Sequence, residues 1–439
     1  MRRVTAADLA QVGQVTAHAY VADGLVEADH WYVDELRDAA ARAAAATVLV
    51  AVARDADGAA GERVLGTITL ATPGSPYAEI ARDGEVELRM LAVDPAARRS
   101  GVAEQLVVAA LREAVGRGDR RVVLSTLETM HAAHRLYARL GFVAEPDRDW
   151  TDELTMRVHA WHAPVPPSAA TESASWPPLR VVEVDGWRVG LSGGVTRRAS
   201  STLALRDVDD LAGTVGRVEG LYRDDGAPAV FRVGDPGNPA GLAALLDARG
   251  YAVAAVTDVL VRDLDATVRP ADGDPGTLGG GVRVRAADVP DDVWLDLWLG
   301  GKGGAREPSR AIVAGAPARY LTAIGADGTA VAVIRAAVVD DWVALSCLQV
   351  VPQARRRGIG RALTLQALAA AREHGARRAF LQVEAHNDPA LRMYGALGFR
   401  PAHRYAYRVQ PGQDVRTGLE ARVRLDQPRS THLGRAAKF

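Results

Sequence analysis

Two stretches of the chain carry the same run of apolar and polar positions. "ELRMLAVDPAARRSGVAEQLVVAALREA", starting at Glu87, and "ALSCLQVVPQARRRGIGRALTLQALAAA", starting at Ala344, align without gaps. Each predicts an apolar strand, a proline-containing turn, an arginine- and glycine-rich loop, and an amphipathic helix. Val102, Leu106, Ala110 and Val115 recur at helical spacing in the first copy and give its helix one apolar face. Another strand follows each helix, "RVVLSTL" from Arg121 and "RAFLQVE" from Arg378.

Three further segments, "YARLGF" from Tyr137, "LDARGY" from Leu246 and "YGALGF" from Tyr394, predict a helix that ends at glycine and enters a strand through an aromatic residue. The repeat therefore has two full copies and a partial one between them. The partial copy keeps "DGWRVGLSGGVTRRASSTLAL", a helix near Asp207 to Tyr222, the strand "AVFRV" and Gly250-Tyr251, with Leu246 where the full copies have tyrosine. It has no arginine/glycine loop, which predicts a structural or substrate-shaping module packed on the third part.

Periodicity fails over His162–Pro178 and Arg269–Gly281, both rich in Pro, Gly, Ala and Ser, and both read as linkers. They bound three parts, 1–161, 179–268 and 282–412, followed by a polar arginine-rich tail. A chain of 439 residues suits several domains at about 150 residues each. The net charge of −1 gives no reason to expect a nucleic-acid partner. No apolar run reaches the ~18 residues of a membrane span, and the N-terminus lacks a signal-peptide pattern. One cysteine, Cys347, excludes an internal disulfide and fits a reducing, cytoplasmic compartment.

The loop carries the chemistry. A glycine-rich turn between strand and helix leaves backbone N–H groups unpaired, and the helix dipole adds partial positive charge, so the place suits an anion. Gly358 and Gly360 flank Ile359 and allow close backbone approach, while Arg355, Arg356, Arg357 and Arg361 can clamp phosphate oxygens. Arg98, Arg99, Gly101, Val102 and Ala103 repeat the arrangement in the first part.

Arg355-x-x-Gly358-x-Gly360, followed by Asn387, Ala390, Tyr394 and Gly398-Phe399, closely resembles the GCN5-related N-acetyltransferase (GNAT) superfamily. The first part resembles it too, through Arg98-x-x-Gly101-x-Ala103 and Tyr137-x-x-x-Gly141-Phe142, with Met130 standing where the third part has Asn387. The whole arrangement is similar to tandem GNAT proteins of actinobacteria. The resemblance implies an α/β fold of two GNAT domains, each a mixed, mostly antiparallel sheet flanked by helices, bracketing a degenerate GNAT-like half domain. It implies acetyl-CoA as cosubstrate, with its pyrophosphate on the loop amides and its pantetheine arm along the preceding strand, at Leu348 and Val350 or Leu91 and Val93. It also implies that Tyr394 and Tyr137 protonate the departing thiolate.

The expected reaction is direct attack on acetyl-CoA by the primary amine of a small molecule, in a monomer or homodimer; the alternatives are an acyl-CoA-binding sensor or scaffold without turnover, or acetylation of a protein or antibiotic amine. Glu384 and, in the first part, Glu87 are the base candidates. Glu384 reads also as a surface carboxylate paired with nearby arginines, and Glu87 as facing either the groove or solvent. His131 and His134 lack a third ligand, so no metal is expected. Acceptor specificity falls to the early helices, where Asp23, Glu27, Asp29, Asp34 and Glu35 accompany Trp31 and Tyr32, suiting a cationic amine or forming a solvated acidic face. The glycines of "LWLGGKGGAREPSRAIVAG", from Leu297, predict a mobile lid in the third part.

Overall fold

The structure is a computed structural model that describes residues 1–54, 62–152, 154–235, 237–264, 277–278, 281–300 and 303–411. The chain falls into two compact units. Met1–Val165 with Pro389–Arg404 make up the first; Pro166–Asp388 with the chain from Tyr405 make up the second.

In the first unit β1 (Arg2–Arg3) precedes three helices, α1 (Leu9–Ala22), α2 (Tyr32–Arg37) and α3 (Ala39–Ala45). Strands β2 (Thr47–Arg54), β3 (Glu62–Ala71) and β4 (Glu85–Val93) lead to α4 (Val102–Arg117). Then come β5 (Arg121–Leu127), α5 (His131–Arg139), β6 (Val143–Ala144), β7 (Trp150–Thr151) and β8 (Thr155–His162). The sheet runs β1-β2-β3-β4-β5-β8-β6, with β7 paired to β8. Only β4 and β5 pair in parallel within it. The expected apolar face of α4 is buried on the sheet with Ile68, Val86, Val122 and Trp161. Pro389–Arg404 joins this unit through Arg120, whose Nη1 donates to the Ala402 carbonyl at 2.8 Å.

The second unit starts with α6 (Ala169–Ser175), β9 (Arg180–Val184), β10 (Trp187–Leu191) and β11 (Thr202–Leu203). It continues through α7 (Leu211–Asp224), β12 (Val230–Val233), α8 (Leu242–Ala248), β13 (Ala252–Asp263) and β14 (Thr277–Leu278). β15 (Val282–Ala287), α9 (Asp292–Gly300), α10 (Arg306–Val313), β16 (Ala318–Ile324), β17 (Ala330–Val339) and β18 (Trp342–Val350) follow. α11 (Ile359–Glu373) and β19 (Arg378–Glu384) come next; α12 (Asp388–Ala396) and the start of β20 (Arg400–Val409) fall within Pro389–Arg404 of the first unit, and β20 from Tyr405 belongs to the second. A twelve-stranded sheet runs β14-β15-β16-β17-β18-β19-β13-β20-β12-β11-β10-β9.

That order departs from a separate middle module. β13, the last strand of the middle stretch, pairs with β19 along seven residues, Thr257↔Glu384 to Asp263↔Arg378, where the first unit pairs β5 with β8. Both of its faces are buried at Val259, Leu260 and Val261, which explains why the strand enters the sheet.

Two other expectations need correction. His162–Pro178 is not a bare linker: Ser168 caps α6 by accepting from Thr171 N–H at 3.0 Å, and Glu172, Ser175 and Trp176 are buried. The glycine-rich stretch read as a lid is mostly two helices, α9 and α10, whose Trp298, Ile312 and Val313 lie in a buried cluster with Trp294 and Tyr320. Gly301 and Lys302 of that stretch lie outside the described residues, as do most of the Arg269–Gly281 linker and the tail from 412.

Candidate active site

Parallel pairing of β4 with β5 stops early. The register covers Glu85↔Arg121, Val86↔Val122 and Glu87↔Val123, and the strands then part. In the second unit β18 pairs with β19 from Trp342↔Arg378 to Leu345↔Leu381 and then parts from it. In both units the outer half of the first strand, Leu88–Val93 or Ser346–Val350, therefore keeps one edge free of ladder bonds, which is where an extended, amide-bearing ligand can add itself. Leu91 and Val93, like Leu348 and Val350, sit on these edges, half-buried.

A bulge sits inside each free edge. Met90 has φ 50° and Cys347 φ 59°, and the ladder to the neighbouring strand shifts register between Thr67 and Thr69 and between Val333 and Arg335. The loops repeat each other as closely: Arg99 and Gly101 have φ 61° and 81°, Arg356 and Gly358 φ 60° and 77°. Left-handed residues at alternate positions turn successive N–H groups inward, forming an anion-binding concavity at the start of α4 and α11. An arginine held left-handed costs about 1–3 kcal/mol.

The two loops differ in charge. Arg98 is tied to Asp23 at 2.8 Å. Arg356, Arg357 and Arg361 are exposed and have no carboxylate partner among the described residues, and Arg355 bonds only the Val350 carbonyl, at 3.1 Å. The third-part loop, with Ile359 and Gly360 opening its helix, carries more positive charge left without a carboxylate among the described residues, and a group added at Gly358 meets nothing within 4 Å. In the first part Val102 and Ala103 open the helix, Val102 buried and Ala103 half-buried.

Tyr137 is buried, with its ring 5.5 Å from Phe142 and 6.4 Å from His159, and burial pushes its hydroxyl pKa up to about 12. Tyr394, within Pro389–Arg404, is buried likewise, its ring 5.7 Å from Phe399, and burial raises its pKa. Both hydroxyls therefore stay protonated through neutral pH. Asn387 is exposed at the start of α12.

The carboxylates behave differently. Glu87 faces neither groove nor solvent: it is wholly buried, and its Oε2 accepts from the N–H groups of Glu79, Ile80 and Ala81 at 2.8, 2.8 and 3.1 Å. It is the anchor of a loop whose amides would otherwise be buried unpaired, not an available base. Glu384 is half-exposed, 3.7 Å from an Arg197 guanidinium and 3.4 Å from His386.

The acidic residues of the early helices form a solvated face, with Asp23, Glu27, Asp29 and Asp34 exposed. The sequence reading missed what lies behind them. Arg42 is fully buried, has no carboxylate partner among the described residues, and reaches Met90 Sδ at 2.8 Å and Thr16 Oγ1 at 3.1 Å. It missed equally Arg232, which is buried between Glu172 at 2.7 Å and Asp235 at 2.5 Å with Tyr405 stacked at 3.8 Å. No spacing rule joins Glu172 to a strand sixty residues away, although the Ser168-x-x-Thr171 cap could have flagged α6.

Bulged, splayed strands that open onto a left-handed phosphate loop define a GNAT acetyltransferase. The GNAT acetyltransferase family matches residues 17–142. Residues 168–408 match the family described as "Probable histone acetyltransferase Rv0428c C-terminal", and since they span more than half the chain, the protein belongs to that family. It is an acyltransferase that uses acetyl-CoA as cosubstrate for N-acetylation. The chain is 25% identical over 252 residues to the uncharacterized N-acetyltransferase YobR of Bacillus subtilis, covering 54% of this chain and 95% of the relative. It is 32% identical over 123 residues to streptothricin acetyltransferase of Streptomyces lavendulae, covering 28% of this chain and 64% of the relative. A tandem GNAT protein from the clavulanic acid biosynthesis pathway is a solved structure similar to it, at 17% identity and a TM-score of 0.32, covering 94% of this chain and 99% of that one. Among the described residues no helix is long and apolar enough to cross a membrane.

Proposed function

We propose that the protein moves the acetyl group of acetyl-CoA onto the primary amine of a small molecule, that the third part, 282–412, is the main catalyst, and that the reaction runs in the cytoplasm. An alkylammonium has a pKa of about 10 and must lose a proton before its nitrogen attacks the thioester carbonyl. Glu384, ending β19, takes that proton directly or through water. A backbone N–H near Leu348 or Val350 holds the oxyanion. Tyr394, by its place in the repeat, delivers a proton to the departing thiolate.

The observation that carries the acceptor class is a pocket in the second unit, lined by Trp176, Arg198, Gln382 and Tyr407. Gln382 and Glu384 alternate onto the same face of β19, so the pocket lies beside the proposed base. A pocket suits a small molecule, in keeping with the streptothricin enzyme's name. The histone wording of the matched family favours a protein acceptor instead.

Thiol release from acetyl-CoA separates the two. We expect turnover with free primary amines and loss of about 10²-fold or more in kcat for Tyr394→Phe. Turnover of histone-tail peptides, with free amines inert, would establish the protein reading.

A further inference from the structure

The pocket beside β19 is lined by more guanidiniums than carboxylates, with Asp235 pairing Arg232 at 2.5 Å. Its lining carries three guanidiniums, those of Arg188, Arg198 and Arg232, against a single carboxylate, Glu172. That carboxylate is already used, by Arg232 at 2.7 Å and by the Gln382 side-chain amide. Arg188 and Arg198 have no carboxylate partner among the described residues, although Arg188 stands across the ladder from Glu183.

Trp176 concentrates the imbalance. Arg198 lies 5.1 Å and Arg335 5.3 Å from its ring. Arg335, outside the lining, is fully buried, bonds the Val313 and Ser175 carbonyls at 2.7 and 2.9 Å, and has Nη2 without an acceptor among the described residues. Ser346 Oγ, on β17's partner β18, is likewise buried without a partner among the described residues, while the unpartnered Gln382 Oε1 is an acceptor and does not serve the anion. A desolvated guanidinium without a counter-ion is costly, and an incoming anion offsets that cost.

We infer that this pocket recognises an oxyanion, carboxylate or phosphate, on the acceptor, so that the substrate is an amine carrying an acidic group. Arg198 and Arg188 hold the anion, Trp176 packs on the chain between anion and amine, and the amine extends along β19 toward Glu384. Arg197 supports the route, since it pairs Glu384 at 3.7 Å and lies 5.7 Å from the ring of Tyr407, a pocket residue. The inference rests on the small-molecule acetyltransferase reading for its catalytic consequence, but not for the anion site itself. A cationic lysine tail would be repelled from it.

The test compares pentylamine, 5-aminopentanoate and 5-aminopentyl phosphate as acceptors, with glutarate and inorganic phosphate as binding probes in calorimetry on the full chain. We expect kcat/KM for one of the acidic amines to exceed that for pentylamine by about tenfold or more, the size of one charge-assisted hydrogen bond. That ratio should fall toward one in Arg198→Gln and Arg188→Gln and recover in part in Arg198→Lys; whichever acid leads identifies the oxyanion. Binding of glutarate or phosphate, lost in Arg198→Gln, supports the site even if no amine is acetylated, in which case the small-molecule reading falls alone. Equal kcat/KM for all three amines without binding of either probe overturns the inference and leaves acetyl transfer standing. A preference that survives both Gln variants overturns it too.

Discussion

Met90 and Cys347 occupy the same place in two copies of one strand, and both hold the left-handed φ of a bulge, 50° and 59°. Neither is glycine, so each copy accepts strain at the point where its strand leaves its parallel neighbour. The bulge turns an edge N–H away from the ladder, which is what a thioester oxyanion needs.

A β-branched residue at such a φ is more strained than cysteine. Cys347→Val should lower stability in urea by about 1–2 kcal/mol and reduce acetyl transfer, whereas Cys347→Ala should do neither.

Glu172 and Arg232 form a buried pair with side chains 2% and 4% exposed. Removing the carboxylate leaves the guanidinium with Asp235 alone and the Gln382 side-chain amide without its acceptor. Glu172→Ala should therefore cost about 1–3 kcal/mol in chemical denaturation. Asp235 and the stacked Tyr405 soften the loss for Glu172→Gln, which keeps the shape and an acceptor oxygen.

For Glu87 the base and anchor roles separate cleanly. As the anchor of Glu79–Ala81 it should, when changed to Gln, lower stability by about 1–3 kcal/mol. The pH dependence of kcat/KM should keep its shape. A large fall in kcat without loss of stability would restore Glu87 as a base.

Burial raises the pKa of both Tyr137, to about 12, and Tyr394. The sign follows: the raised pKa favours the protonated hydroxyl, which is retained through neutral and mildly alkaline pH and lost only above the folded value. With an alkylamine acceptor, kcat/KM should climb from about pH 6 toward the amine's own pKa of about 10, with no alkaline fall from tyrosine in that span. A descending limb near pH 8 would place another titrating group in the reaction.

Much of this site is legible in the sequence because it is local. A bulged strand, a left-handed loop and a helix start lie within one short run, and their two copies, Glu87 onward and Ala344 onward, expose them. Tyr137 and Tyr394 follow from their Gly-Phe neighbours. What stayed hidden is non-local. β13 enters the sheet beside β19 through backbone pairing that any apolar strand could make, so no residue type announces it. The Pro- and Ser-rich composition of His162–Pro178 masked α6 and with it Glu172 and Trp176. By alternation Glu87 reads as facing the groove or solvent, and only the fold supplies the three amides that claim it. Arg42, Arg198 and Arg335 have no carboxylate partner among the described residues, and no local pattern announces that.

The central claim is that the third-part loop holds the pyrophosphate of acetyl-CoA. Calorimetry of acetyl-CoA binding to the wild type, Gly358→Ala and Gly358→Glu tests it most directly. The alanine variant isolates the strain of a Cβ at φ 77°, and the glutamate adds charge repulsion in otherwise open space. The account expects a binding event that weakens modestly in Gly358→Ala and disappears in Gly358→Glu. Equal acetyl-CoA affinity and stoichiometry in all three proteins would contradict it.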